Sequence, residues 1–291
     1  PFEGRNGLGA WAMWNPEIER NLLEIEDFFA PAVDHVLKKN GGINVRNILA
    51  KGMLMGDESH TRQAACGNML VSEIVPMLLG DEDLDIPTIK RVTEMFVGNE
   101  RWFHPLGMSC SLASMRCIKG KEYCSIVTSI AQNGVETGIK VAGLGEQWFK
   151  GPAPRFVGTL FSTQWTLDDA VPYMGDSTAT ESYGMGAFSA AAAPTVLRLR
   201  NGGWREARAQ SEELRTICAG RNNNFPIPLL DFEGPGLGID IFKVVESGIT
   251  PLCHGGIVNK TGGQIGAGAA RYGTEHYVSA AYAFLDKYGN K

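Results

Sequence analysis

The sequence lacks the features that mark nucleic-acid-binding and membrane-spanning proteins. No run contains four or more Lys or Arg residues, and the formal net charge is −5, whereas nucleic-acid-binding proteins usually present a basic face. No apolar stretch reaches the length of a transmembrane helix. We therefore expect a globular, cytoplasmic protein that handles a small polar metabolite, with neither nucleic acid nor membrane as a partner.

Metal-binding and nucleotide-binding motifs are lacking too. None of the six cysteines forms a C-x-x-C pair, so the usual spacing of a metal site is missing and we expect reduced, mostly buried thiols. Neither a P-loop nor a G-x-G-x-x-G fingerprint is present. The sequence therefore predicts no metal and no cofactor.

Helical periodicity dominates the first part of the chain. Asn15 and Pro16 form a helix cap followed by proline at the first helical position, and apolar residues then recur every three or four positions up to Val36. Further helices are predicted over 45–55, 57–79 and 88–97, with Pro76 kinking or ending the second of these.

The pattern changes near Tyr123. Short β-branched segments separated by glycine predict strands, and two longer segments predict helices. The strands are predicted within 124–131, 138–145, 226–232 and 248–258, and the helices over 187–199 and 204–219. We therefore predict an α+β fold, with a mainly helical N-terminal half beside a mixed α/β body of short strands and glycine-rich turns. The expected boundaries are a lead-in segment 1–14, a helical domain 15–120 and a body 121–291.

The first motif with chemical potential runs from Gly56 to Arg62. It lies at a predicted helix start, where free N–H groups and the helix dipole favour anions. Glu58 and Arg62 are i,i+4 partners, and His60 lies between them. These residues could form an acid/base and anion-binding set, or an N-capping motif with a surface ion pair.

The second motif combines Asn133, Gly134 and Glu136 with Gly143 and Gly145. Asn-Gly between two strand-like segments is a strong hairpin signal, so a structural turn is one interpretation. The other is a ligand site, because an amide and a carboxylate stand close together and glycines let a ligand approach the backbone.

Two further motifs are rich in glycine. One contains Asp176 and Glu181 before a predicted helix start. The other has His254 directly after a predicted strand, followed by Gln264 and Gly266. Ligand clefts in α/β proteins tend to follow strands in this way, although a lone histidine is more often structural.

Together, these segments resemble the AllG-like family. The resemblance extends from about residue 6 to 271, and its most specific blocks are 55–65, 133–154, 174–194, 230–251 and 262–268. It implies a subunit of oxamate carbamoyltransferase in allantoin breakdown, working with a ligase-like (FdrA-like) partner and a further subunit in an oligomeric assembly. It also implies that the full protein carries an N-terminal α/β region before this chain.

The implied reaction converts oxalurate and phosphate into oxamate and carbamoyl phosphate. It needs a phosphate cradle, donors for the carbamoyl oxygen and a base for the attacking nitrogen. Our candidate catalytic residues are Glu58, His60, Glu136 and His254. Our candidate substrate-binding residues are Arg62, Asn133, Gly134, Gly143, Gly145, Asp176, Glu181, Gln264 and Gly266. The alternatives are a non-catalytic scaffold for the ligase-like partner and a transferase that acts on another small acceptor.

Overall fold

The computed structural model describes residues 13–99, 101–175 and 177–289. Its first part is helical, as the periodicity predicts. Asn15 caps the first helix through the backbone N–H groups of Glu17 and Ile18, and a π-helical segment continues it without a break into the second helix. The helices are α1 Pro16–Glu24, α2 Ala30–Lys39, α3 Val45–Leu54, α4 Ala64–Leu79, α5 Ile86–Val97 and α6 His104–Arg116.

Helix α4 corrects the predicted start of this helix and excludes one of the two roles predicted for Pro76. It begins at Ala64, so residues 57–63 form a loop before the helix and not its first turn. Ser59 has a left-handed backbone (φ 62°), and Asp57 accepts the N–H of Cys66, which leaves the loop no helical path. Pro76 lies inside α4 and does not end it.

The second part contains three antiparallel sheets within the described residues. Their strand orders are β3-β2-β1-β5, β4-β9-β8 and β6-β7. The strands are β1 Val127–Asn133, β2 Glu136–Val141, β3 Phe149–Pro152, β4 Phe156–Leu160, β5 Met174–Gly175, β6 Cys218–Arg221, β7 Gly236–Ile239, β8 Leu252–Val258 and β9 Gln264–Arg271. The predicted α+β fold is confirmed.

One predicted strand of this part is wrong, and one predicted helix is present as 3₁₀ and not as α-helix. The segment 226–232 is a 3₁₀ turn over Pro228–Leu230 and not a strand, because proline has no N–H for a ladder and the two residues after the turn have positive φ. The segment 187–199 forms two 3₁₀ segments, Gly186–Ala192 and Pro194–Arg200. The helices of this part are α7 Ala179–Ser182, α8 Trp204–Thr216, α9 Ile241–Ser247 and α10 Glu275–Tyr288.

Two large apolar clusters form the core. One joins the N-terminal helices to Tyr183, Met185 and Phe225 of the second part. The other lies among the sheets, α8, α9 and α10, around Ile139 and Tyr277. The boundaries 15–120 and 121–291 stay a prediction. None of the described helices combines the length and apolarity needed to cross a membrane.

Candidate functional site

Three segments that are distant along the chain meet at His60. The His60 Nδ1 atom lies 2.7 and 2.9 Å from the two carboxylate oxygens of Glu181, and the Sγ atom of Cys253 is 3.9 Å from the same nitrogen. All three residues are buried. The loop before α4, helix α7 and strand β8 therefore place an imidazole, a carboxylate and a thiol in one polar cluster.

Backbone N–H groups bind the Glu181 carboxylate, and the lack of a side chain at Gly186 leaves room for it. Its Oε1 accepts the N–H groups of His254 and Ala187, both at 3.2 Å, and its Oε2 accepts the hydroxyl of Thr180 at 2.8 Å. Gly186 has positive φ, and a Cβ there would lie 2.1 Å from Glu181 Oε1. Only glycine leaves room for this carboxylate.

The other nitrogen of His60 faces a serine. Its Nε2 lies 2.8 Å from the Oγ of Ser177, which directly precedes the turn of α7. The hydroxyl of Tyr173 lies 3.2 Å from the same Oγ, and Ser177 is only half-buried. Ser177, His60 and Glu181 therefore form a hydrogen-bonded chain that runs from a half-buried serine to a buried carboxylate.

A second histidine–carboxylate pair lies beside the first. His254 Nδ1 is 3.5 Å from Glu58 Oε2, and Gln210 Nε2 is 3.0 Å from His254 Nε2. The other oxygen of Glu58 accepts the backbone N–H groups of Thr61 and Arg62. The expected i,i+4 ion pair of Glu58 with the Arg62 side chain is replaced by these bonds.

Burial and neighbouring charges set the protonation of the cluster. Burial opposes a charged imidazole, but the charge of Glu181 outweighs it and raises the pKa of His60 well above its usual value. Burial likewise opposes ionisation of Glu58, but the interaction with His254, 3.5 Å away, outweighs it and lowers the pKa of Glu58. Burial and the charge of Glu181 raise the pKa of Cys253 to about 11, so its thiol is protonated at neutral pH.

Two groups of described side chains could hold a metal ion. His60, Glu181 and Cys253 offer three ligand atoms within 4.8 Å of one another, as does the more exposed set of His35, Asp81 and Asp83. A nitrogen, an oxygen and a sulfur suit zinc. A metal at the buried group and the hydrogen bond between His60 and Glu181 are alternatives, since both use Nδ1.

The hairpin residues lie apart from these contacts. Asn133 accepts the N–H groups of Val135 and Glu136 and so fixes the predicted β1–β2 turn, which is confirmed. The exposed Glu136 bonds Lys150 at 3.2 Å. Both line an open cleft of about 220 Å³ together with Trp148. The neighbouring Gln132 instead bonds Gly175 and Thr178, close to Ser177.

The remaining candidates have backbone or surface positions. Gly134 and Gly145 have positive φ, and the carbonyl of Gly143 accepts bonds from Lys287 and Tyr288. Gln264 bonds the carbonyl of Gly266 within β9. The Arg62 side chain is 48% exposed and lies 3.6 Å from Asp57. Asp176 lies outside the described residues.

Sequence reasoning missed Ser177 and Gln210. Ser177 lies between Asp176 and Glu181 in one of the two glycine-rich motifs. In that motif only the glycine backbone and the acidic residues indicated a ligand site. Gln210 lies on the buried face of α8 beside Ala207 and Leu214, and a polar residue on an apolar helix face was the available signal.

The chain matches the family described as oxamate carbamoyltransferase subunit AllG over residues 3–177. It is 38% identical over 269 residues to the oxamate carbamoyltransferase subunit AllG of Escherichia coli (strain K12), an alignment that covers 91% of this chain and 64% of that protein. It is 34% identical over 267 residues to the uncharacterized protein YahG of the same organism, covering 91% of this chain and 56% of that protein. The chain thus spans 56% to 64% of the length of these curated relatives.

A crystal structure shows the same fold. It is that of a conserved protein of unknown function from Enterococcus faecalis V583, with a TM-score of 0.89 and 34% sequence identity. The match covers 94% of this chain and 65% of that one. Both sets of relatives are therefore longer than this chain.

Proposed function

Since the chain belongs to the family of the oxamate carbamoyltransferase subunit AllG, we propose that it is a subunit of a carbamoyl-transferring enzyme. The reaction is the interconversion of oxalurate plus phosphate with oxamate plus carbamoyl phosphate. We place this activity in the cytoplasm, in allantoin and purine nitrogen catabolism, and in an oligomeric assembly with a ligase-like (FdrA-like) subunit and a further subunit.

One observation carries the proposal: two histidine–carboxylate pairs lie side by side in the buried cluster. His60 pairs with Glu181 and His254 pairs with Glu58, across chain separations of 121 and 196 residues respectively (181 − 60 and 254 − 58). Burying an ionisable group costs free energy, and clusters of such groups are found most often at functional sites.

The chemistry of carbamoyl transfer suits these groups. The attacking nitrogen must lose a proton and the carbamoyl oxygen gathers negative charge. His60 and His254 supply the proton transfers, and the carboxylates of Glu181 and Glu58 orient them. The partly exposed guanidinium of Arg62 is proposed to bind the phosphate.

The test replaces His60 with Asn in the full-length protein, assembled with its partner subunits. Carbamoyl phosphate production from oxalurate and phosphate should fall about 10²-fold or more, the usual contribution of general acid–base catalysis. His276→Gln is the matched control, since it removes a buried histidine that packs against Tyr277 and lies outside the cluster. That variant should keep the parental rate.

Glu136→Gln tests whether the reaction takes place at the buried cluster or at the hairpin cleft. If Glu136 is the base, its substitution will lower the rate while His60→Asn and His254→Asn leave it near the parental value. That result would move the reaction to the cleft and reject the cluster as the site.

A second candidate function is a non-catalytic scaffold, which the near-complete burial of Glu58 and His254 favours. In that case His60→Asn would weaken assembly with the ligase-like subunit in proportion to the lost rate. Normal assembly with lost turnover supports the catalytic proposal. A panel of ureido acids would distinguish oxalurate from another small substrate.

A further inference from the structure

We propose that Ser177 is a nucleophile that carries the carbamoyl group as a covalent ester, activated by His60 and Glu181. The inference rests on the proposed carbamoyl transfer and assigns it a two-step course. It introduces a residue that neither the motifs nor the family match singles out.

The distances match those of a serine–histidine–carboxylate relay. Ser177 Oγ is 2.8 Å from His60 Nε2, and His60 Nδ1 is 2.7 Å from Glu181 Oε1. In the uncharged imidazole, Nδ1–H donates to the carboxylate and Nε2 is left as an acceptor for the serine hydroxyl, and this is the form of His60 that acts in the relay. Such a chain is recognised by its geometry on any fold, because the base must touch the nucleophile and a third group must orient the base.

The burial gradient also suits this role. His60 and Glu181 are 3% and 1% exposed, whereas Ser177 is half-buried at the outer end of the chain. The serine therefore lies at the end of the relay that is nearer to solvent. The buried end shields the hydrogen bond between His60 and Glu181 from water, which strengthens it.

Hydrogen bonds anchor the described residues on both sides of Ser177. Strand β5 ends at Gly175, whose carbonyl accepts the side-chain amide of Gln132 at 2.7 Å. The carbonyl of Ser177 accepts both the N–H and the hydroxyl of Thr180, at 3.0 and 2.7 Å. A short strand therefore comes before the serine and a helical turn after it, the element order in which hydrolases present nucleophilic serines.

In the first step, Ser177 Oγ forms a bond to the carbamoyl carbon of carbamoyl phosphate. The bond from that carbon to the bridging phosphate oxygen breaks, and phosphate leaves with the electron pair. His60 takes the serine proton and passes it to the departing phosphate. In the second step, the amide nitrogen of the acceptor bonds the carbamoyl carbon and the Ser177 ester bond breaks. His60 takes a proton from that nitrogen and returns one to Oγ.

The first experiment treats the full-length protein with a fluorophosphonate probe, which traps serines that have a base beside them. Parent protein should be labelled on the peptide that contains Ser177. Ser177→Ala should abolish this labelling and Glu181→Gln should reduce it strongly. Ser129→Ala, which removes a half-buried serine of β1, is the matched control and should label like the parent.

The second experiment measures exchange of isotopic phosphate into carbamoyl phosphate by the assembly without acceptor. A covalent intermediate permits this exchange, so the parent should show it and Ser177→Ala should lose it. Ser177→Cys, which keeps a nucleophile of similar size, should restore part of it. Thermal unfolding of each variant separates loss of exchange from loss of fold.

The outcomes distinguish this inference from the proposed function. Carbamoyl transfer at the parental rate by Ser177→Ala would overturn the role of the serine. So would carbamoyl transfer by a parent protein that shows neither phosphate exchange nor probe labelling. Both results would leave the proposed carbamoyl transfer intact. Labelling at Ser177 in an assembly that transfers no carbamoyl group would retain the nucleophile and reject the proposed reaction. Activity that is lost with a chelator and restored by zinc would replace the relay with a metal at His60 Nδ1.

Discussion

At the scale of single residues, two buried histidines have pKa shifts of opposite direction. His60 is buried against Glu181, whose charge raises the pKa of His60. His276 is equally buried, at 0% exposure, but neither ring nitrogen has a hydrogen-bond partner within the described part of the chain. Burial alone therefore lowers the pKa of His276 to about 4, against a small opposing effect of Glu275.

This difference predicts acid sensitivity. The unfolded chain protonates His276 below a pH of about 6.5, whereas the folded chain does so only near 4, so the unfolded state binds more protons between these values. The free energy of unfolding therefore keeps its full value above about pH 6.5 and falls by about 3 kcal/mol as the pH drops towards 4.

The measurement is urea unfolding at neutral pH and at about pH 4.5. In His276→Gln, this part of the acid loss should disappear, so the two unfolding free energies should lie closer together than in the parent. An equal acid loss in parent and variant would show that other groups account for the sensitivity.

At the scale of elements, glycine decides how closely two strands approach. Gly158 of β4 pairs with Gly268 of β9. A Cβ at Gly158 would lie 2.2 Å from the carbonyl oxygen of Ala267 and 2.6 Å from the Cα of Gly268. The same restriction holds in reverse, since a Cβ at Gly268 would lie 2.2 Å from the carbonyl oxygen of Val157.

Gly158→Ala should therefore force β4 and β9 apart. Because the obstacle is backbone and cannot rotate away, we expect a loss of at least about 1–3 kcal/mol in the free energy of unfolding. Gly220→Ala in β6 is the control, because nothing lies within 4 Å of an added Cβ there. Chemical denaturation should leave the control within about 0.5 kcal/mol of the parent; an equal loss in both would point to strand propensity and not to contact.

At the scale of the whole molecule, the candidate site lies where the two halves meet. Glu58 lies in the loop before α4, in the helical half. The backbone carbonyl of Glu58 accepts the N–H of Gly186 in the second part at 2.7 Å. The side chain of Glu58 faces His254 of β8. The buried pair therefore connects the halves as well as contributing to the site.

A double-mutant cycle tests this connection. Glu58→Gln and His254→Asn should each destabilise the protein, because each leaves a buried partner uncompensated, but the double variant should lose less than the sum. We expect a coupling of about 0.5–3 kcal/mol for residues in such contact.

The control cycle pairs Glu58→Gln with Lys38→Ala, whose 76%-exposed side chain bonds Asp34 within α2. Those two changes should add to within about 0.5 kcal/mol. Additivity in the first cycle as well would mean that Glu58 and His254 do not interact and that this pair does not help to hold the two halves together.

The sequence by itself determined the local elements. Helix α1 and its Asn15 cap, helix α5, the β1–β2 hairpin at Asn133 and the α+β class all follow from periodicity, capping and turn residues, which act over a few positions. The errors, at 57–63 and 226–232, occur where side chains or prolines use backbone groups that a regular element would need.

The site itself was decided by the tertiary structure. Local patterns marked His60, Glu181 and His254 as candidates. They did not predict that Glu181 would bond His60 or that Glu58 would face His254. They marked Asn133 and Glu136 equally strongly, and these fix a surface turn. Which polar residues come together depends on contacts between segments more than a hundred positions apart, and residue spacing along the chain carries no information about such contacts.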